Sequence, residues 1–391
     1  MQRWMAALVL VGNGMLVGAT PAAAQSSITL YGATDTGVAY FGSRAGTGGR
    51  GGAVQMHAGN LAPDLWGIKG IEDLGGGLTS MFKLESGFDI DNGRQAQGGR
   101  LFGRTAIVGL GVVAIGTVTV GRQYDPLIDL IQPLTNADTF ASTFATPGDM
   151  DNFDNSYRTN NAIKFTTPDL DGLQGAAMYA LGGAPGATAG RTYAFAAAYH
   201  NGPLGIGAGY FNANSADGTM ASFDGLRPNT DVDVDSPAVT GGFVSADSLQ
   251  IIRAAAHYQL EQWGAGFAYS HVRYGDYRVA SGRQATTTFN TAQAFLNYQV
   301  NAATIVGIGY DITKGAGDDV NVRYDQWSLG ADYRLSPSTD LYALAGYQHA
   351  SGMTMGVSGT LVPAVASMGD FGIDAATNRQ AMAMIGVRHL F

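Results

Sequence analysis

The chain contains no cysteine, which excludes a disulfide framework, a thiol nucleophile, a zinc ribbon and an iron–sulfur cluster. Charge is scarce as well. Only 14% of the 391 residues are Asp, Glu, Lys or Arg, where a soluble domain carries about 25%. The formal net charge of −9 argues against nucleic acid as a partner. Beyond the first 24 residues there is no run of about 20 apolar residues such as a membrane-spanning helix requires. The best stretch, 105–121, holds Gly109, Gly111, Gly116 and Gly121 and is rich in Val and Thr. It reads as two strands folded at 112–115. The six histidines (His57, His200, His257, His271, His349 and His389) are scattered without metal-ligand spacing, and neither G-x-S-x-G nor H-E-x-x-H occurs. No metal, cofactor or catalytic residue is expected.

What is abundant is glycine, 57 residues, or roughly twice the average share of about 7%. Glycine in a helix interior costs roughly 1 kcal/mol relative to alanine, so this composition favours β structure. Residues 1–24 carry one early positive charge (Arg3), an apolar stretch and small residues at Ala22 and Ala24. That pattern predicts a secretory signal peptide cut before Gln25. A short membrane anchor fits less well, because Gly12, Asn13 and Gly14 interrupt the run and no basic stop-transfer patch follows. Removal takes the net charge to −10 and leaves residues 25–391 as the functional domain.

In that domain the hydrophobic period is two. Trp327, Leu329, Ala331 and Tyr333 alternate with Ser328, Gly330, Asp332 and Arg334; Leu296, Tyr298 and Val300 alternate with Phe295, Asn297 and Gln299. Successive strand side chains point to opposite faces. Sixteen such segments are expected, from 27–42 to 379–391. Seven tight turns, such as 201–203 and 301–303, alternate with eight connections, mostly long, including 43–61, 126–155, 214–248 and 351–378. Strict sorting of short and long connections matches an even-stranded outer-membrane barrel, an all-β, antiparallel transmembrane fold; a soluble sandwich has no reason to sort them. Tyr199, Tyr258, Trp263, Tyr298 and Tyr333 lie near turns, as an interfacial aromatic girdle would. The last strand ends on Phe391, an aromatic at the expected membrane interface.

Several stretches resemble the trimeric general porins of Gram-negative outer membranes, particularly those of β-proteobacteria. They are Ser27-Ile-Thr-Leu-Tyr-Gly-Ala-Thr-Asp-Thr-Gly-Val38, Trp66-Gly-Ile-Lys-Gly-Ile-Glu-Asp-Leu-Gly-Gly-Gly-Leu78, Gly116-Thr-Val-Thr-Val-Gly-Arg-Gln-Tyr-Asp-Pro126, Ser156-Tyr-Arg-Thr-Asn-Asn161 and Gly386-Val-Arg-His-Leu-Phe391. The resemblance implies a sixteen-stranded homotrimeric barrel in the cell outer membrane, in contact with lipid and lipopolysaccharide. It also implies a third long loop, here 126–155, folded into the lumen as a constriction. Such a loop presents acidic residues to basic residues on the wall. The loop carries Asp129, Asp138, Asp149, Asp151 and Asp154, and the matching wall residues are Arg104, Arg158, Lys69 and Arg122, with Glu85 nearby. Arg104 is expected to share a strand face with Ala106 and Val108. Where related porins often place an Arg, this chain has Leu65 on the face of Lys69, one rung fewer in the basic ladder.

The implied function is passive diffusion of small hydrophilic solutes and ions through a water-filled channel. A channel specific for an organic anion or sugar is the alternative; it calls for a denser basic ladder or an aromatic track, and neither stands out. The residues alone leave both signs of ion preference open. Asp231, Asp233 and Asp235 superficially resemble the start of a calcium loop, but Ser236 and Gly242 occupy the positions where such a loop needs Gly and Glu. Gly205-Ile-Gly-Ala-Gly209 lies within an alternating strand and is no nucleotide-binding loop.

Overall fold

Alternating side chains and tight turns send the chain up and down through one antiparallel sheet, described in a computed structural model over residues 27–45, 51–183, 189–216, 223 and 238–391. The segment 1–24 and the Asp231, Asp233, Asp235 run lie outside the described residues. The strands are β1 (Ser27–Arg44), β2 (Gly51–Ala58), β3 (Leu65–Gly75), β4 (Leu78–Gly87), β5 (Thr105–Val112), β6 (Gly116–Gln123), β7 (Thr159–Thr166), β8 (Leu173–Ala180), β9 (Thr192–Asn201) and β10 (Leu204–Asn214). After them come β11 (Ser248–Leu260), β12 (Trp263–Arg278), β13 (Gln284–Asn301), β14 (Thr304–Gly317), β15 (Val320–Ser336), β16 (Thr339–Met355), β17 (Leu361–Pro363) and β18 (Arg379–Leu390). Each wall strand pairs with its sequence neighbour, and β1 pairs with β18 from Ala33 against Leu390 to Phe41 against Met382. The sheet is therefore a closed barrel.

Among the described residues eighteen strands occupy sixteen wall positions. The upper half of β1 (Thr36 to Arg44) pairs with β2, and its lower half (Ser27 to Ala33) pairs with β3. Together β2 and β3 fill one position, interrupted at 59–64. Strand β17 adds three residues to the outer end of β16. Two connections are shorter than the bounds of the expected segments (264–275 and 288–300, 304–314 and 324–334) left them. β12 and β13 run on to Arg278 and from Gln284, and β14 and β15 leave only Asp318 and Asp319 between them. In both pairs the ladder continues past the bilayer-spanning length of 9–11 residues, because Thr, Tyr and Val persist into what reads as loop.

The two faces of the wall differ as the period of two requires. Val108 (61%) and Ile385 (67%) are exposed on the outside, as a lipid-facing band demands. Inward neighbours such as Gln326 (0%) and Ser328 (2%) are polar and covered. Trp263 and Tyr298 are paired across β12 and β13 with ring centroids 4.4 Å apart, beside the short turns. Among the described residues no helix is long and apolar enough to cross a membrane.

Candidate functional site

After β6 the chain turns inward. Asp125 caps the first helix, α1 (Pro126–Leu130), by accepting the Leu127 N–H at 2.8 Å, with Pro126 in the first turn, where its missing N–H costs nothing. A second short helix, α2 (Ala137–Phe140), and three 3-10 turns follow. The segment docks on inward-facing glycines of the far wall. Leu134 lies over Gly205 and Gly207, Leu127 over Gly209, Phe140 over Gly307 and Gly330, and Phe144 over Gly309. A Cβ at Gly205 would stand 2.6 Å from Leu134, and one at Gly309 2.7 Å from Phe144. The glycine run in β10 is thus a seat for the loop, a role its alternation does not reveal.

Polar contacts hold the same arrangement. Gln326 Nε2 donates to the carbonyls of Thr143 (3.2 Å) and Ala145 (3.0 Å), and the Ser328 hydroxyl donates to Thr143 O at 2.6 Å. Asn136 and Asn297 exchange amide hydrogen bonds of 3.0 and 2.6 Å. Beneath the loop, Arg253 of β11 is fully buried against the Phe153 ring, 4.3 Å from its centroid, with Asp151, Asp125 and Asp149 as charged neighbours. Asp149 accepts the Asp154 N–H (2.9 Å) and both the N–H and hydroxyl of Ser156. Burial, and then the nearby Asp151 carboxylate, push the Asp149 carboxyl up from its usual range.

The loop leaves open the opposite part of the lumen, a cavity of about 440 Å³ lined by Arg104, Arg158, Asp138, Asp154, Asp370 and His57 among others. Two cations and three carboxylates from distant segments thus meet around one aqueous space. Tyr124 organises the cations: its hydroxyl oxygen accepts from Arg104 Nη2 (2.7 Å) and Arg158 Nη2 (2.6 Å) and donates to Asn155 Oδ1 (3.0 Å). Both guanidiniums also lie near its ring, at 6.0 and 4.8 Å from the centroid, within range of cation–π attraction. Burial lowers the Arg104 pKa, with Arg158 acting the same way and Tyr124 and Glu85 opposing; a guanidinium nevertheless stays charged. Burial raises the Asp138 carboxyl.

The remaining expected residues are distributed as follows. Lys69 lies on the lumen face opposite Thr29, 5.0 Å from the Tyr31 ring centroid, and Leu65 shares that face. Glu85 accepts the Tyr31 hydroxyl (2.9 Å) and pairs with Lys83 Nζ at 2.9 Å. Lys83 stands directly opposite Lys69, a rung the sequence reading missed. Asp129 is drawn away from the cavity into an ion pair with Lys164 of β7. Asp149 and Asp151 are buried anchors inside the loop. Arg122 lies opposite Ala106 on the face of Val108 and Val120; its guanidinium bonds Gly103 O and Asn160 Oδ1, apart from the charged cavity.

Arg104 departs from the expected strand geometry. Ala106 and Val108 face outward, and β5 begins only at Thr105, so Arg104 sits in the preceding loop and is free to turn inward. Phe391 meets Gly32 in a reciprocal pair of backbone hydrogen bonds, 2.9 and 3.0 Å. Tyr124, His57 and Asp370 escaped sequence reasoning. Only Tyr124 carried a signal, its place between Gly121 and Pro126; Asp370 arrives from the last long loop.

A closed barrel with an apolar exterior, a polar interior and a segment folded across its lumen defines a water-filled channel of the outer-membrane type. The chain matches the Gram-negative porin family over residues 6–353 and belongs to it. It is 28% identical to an outer membrane porin protein of Bordetella pertussis, covering 86% of this chain and 93% of that one. It is 33% identical to outer membrane porin protein 32 of Delftia acidovorans over 54% of this chain and 62% of the other. Among solved structures, the anion-selective porin from Comamonas acidovorans superposes with a TM-score of 0.71 at 22% identity, covering 94% of this chain and 100% of that one. A trimer form of OmpT of Vibrio cholerae superposes at 0.63 with 14% identity, covering 94% and 99%. The protein is an outer-membrane porin.

Proposed function

We propose that the space between the inward-folded loop and the wall is the constriction of a general diffusion channel, and that its opposed charges govern what passes. The observation that supports this is the meeting of Arg104 and Arg158 with Asp138, Asp154 and Asp370 around one cavity. Cations on the wall and carboxylates on the loops generate a transverse field that orders water and favours polar solutes over apolar ones. Lys69, Lys83 and Glu85 extend the same wall. Across these eight groups the formal charges cancel, so ion preference is weak. The working unit is a homotrimer in lipid and lipopolysaccharide, and the signal peptide is removed before Gln25; cross-linking and the intact mass of purified protein read these two points.

Single-channel recording in a planar bilayer with a KCl gradient tests the constriction. Wild type conducts in steps near three equal sublevels, with a reversal potential close to zero. Replacing both arginines (Arg104→Ser with Arg158→Ser) moves the potassium-to-chloride permeability ratio up by roughly thirtyfold, the Coulomb effect of two charges at about 8 Å in water acting with opposite sign on the two ions. An unchanged reversal potential in that variant would remove the two arginines from the conduction path.

A further inference from the structure

We propose that His57 sets the ion preference of the channel, its protonated imidazole adding one positive charge where the fixed charges balance. The inference rests on reading the charged cavity as the constriction. His57 lies opposite Gly37 on the lumen face of β2, beside the break at 59–64, and it lines both the charged cavity and an adjoining one of about 640 Å³.

Its hydrogen bonds select the protonated ring. Asp35 accepts the Leu61 and Ala62 N–H groups through Oδ2, at 2.6 and 2.8 Å. Its Oδ1 takes the Tyr342 hydroxyl proton at 2.6 Å. The Tyr342 oxygen therefore accepts from Asn60 Nδ2, 2.8 Å away. The same amide nitrogen donates to the His57 carbonyl at 2.6 Å. Both amide hydrogens are then committed, and Asn60 Oδ1 is the atom 2.8 Å from His57 Nδ1. On the other side, Nε2 lies 3.1 Å from the Phe371 main-chain oxygen. Both partners can only accept. A neutral imidazole has one N–H and leaves one of these contacts unmade; the imidazolium donates to both.

Aromatic neighbours hold the ring in place: Phe371 at 5.3 Å in an edge-on arrangement and Phe41 at 6.1 Å between centroids. The charged groups around the two cavities are mixed. Asp138, Asp154 and Asp370 favour the cation, and Arg104 and Arg158 oppose it. Around the adjoining cavity Asp64, Asp89 and Asp91 favour it as well. With the constriction charges in balance, a single titrating ring decides the sign. Chloride preference rises as pH falls and the ring takes up its second proton.

The experiment is the reversal potential across a KCl gradient from pH 8 to pH 5.5, for wild type, His57→Gln and His57→Lys. The wild-type chloride-to-potassium permeability ratio is expected to rise roughly sixfold, the effect of one charge at about 8 Å in water acting with opposite sign on the two ions. His57→Gln keeps only the smaller rise that protonating carboxylates supply. His57→Lys holds the raised ratio already at pH 8. Identical titrations in wild type and His57→Gln, or a His57→Lys ratio equal to that of wild type at pH 8, would overturn the role of His57. Channels that respond to the two arginines yet not to His57 leave the constriction reading standing; channels indifferent to the arginines as well overturn that reading instead.

Discussion

Tyr124 holds two like charges on one oxygen, an arrangement that costs repulsion and survives because each guanidinium gains a charge-assisted hydrogen bond, worth roughly 1.5–3 kcal/mol when buried. Tyr124→Phe deletes the acceptor and keeps the ring. The arginines then separate, and the permeability ratio moves toward potassium while the number and spacing of conductance steps stay the same; reversal potentials of variant and wild type check this. The residue types at this site were readable in advance, because Arg104, Arg158 and Asp138 stand where the family pattern puts charge. Their partners were not. A hydroxyl shared between residues 20 and 34 positions away leaves no local periodicity, and Arg104 points inward only because the strand starts one residue after it.

At the scale of elements, the loop 126–155 is the decisive piece, and its docking depends on pH. The buried Asp149 carboxyl is raised above the usual aspartate range of about 4 by burial and by Asp151. A group whose folded-state pKa is raised contributes stability that is complete below its unfolded value and is lost as pH rises through the folded one. The docked loop is therefore tighter at pH 5 than at pH 8 on this account. Asp149→Asn flattens that dependence. Amide hydrogen exchange of Asp154 and Ser156 at the two pH values, corrected for intrinsic rates, reads the difference; an equal slope in the variant counts against the assignment. The strands that hold the loop were legible from alternation, whereas their glycines at 205, 207, 307 and 309 looked like ordinary strand positions. Their meaning needs the loop in place, since a glycine is informative only when something approaches it.

On the scale of the whole molecule, closure of the barrel joins the two ends of the described chain. Gly32 exchanges backbone hydrogen bonds with Phe391, and a Cβ there would lie 2.6 Å from the Leu65 carbonyl oxygen as well as against the Phe391 ring. The ring can swing aside; the carbonyl is held in the ladder between β1 and β3. Gly32→Val is expected to destabilise the closed barrel by roughly 1–3 kcal/mol, the range for overpacking a tight site. Refolding yield into detergent, read from the mobility difference between folded and heated protein on a gel, measures it. Full wild-type yield would show that the seam has slack.

By itself the sequence determined the class of fold and its place in the cell. A period of two, turns sorted by length and an apolar outer face are local properties, written in residues adjacent along the chain, and one physical rule reads them all. The positions of sixteen wall strands follow from that rule. Two connections came out shorter than read, because strand-forming residues outlast the bilayer. The tertiary structure alone decided which charges meet. His57, Arg104, Arg158, Asp138 and Asp370 come from five segments spread over more than 300 positions, and their convergence depends on how far a loop reaches across a lumen. Distance through space, and the single orientation that satisfies every donor and acceptor around it, is what periodicity cannot encode.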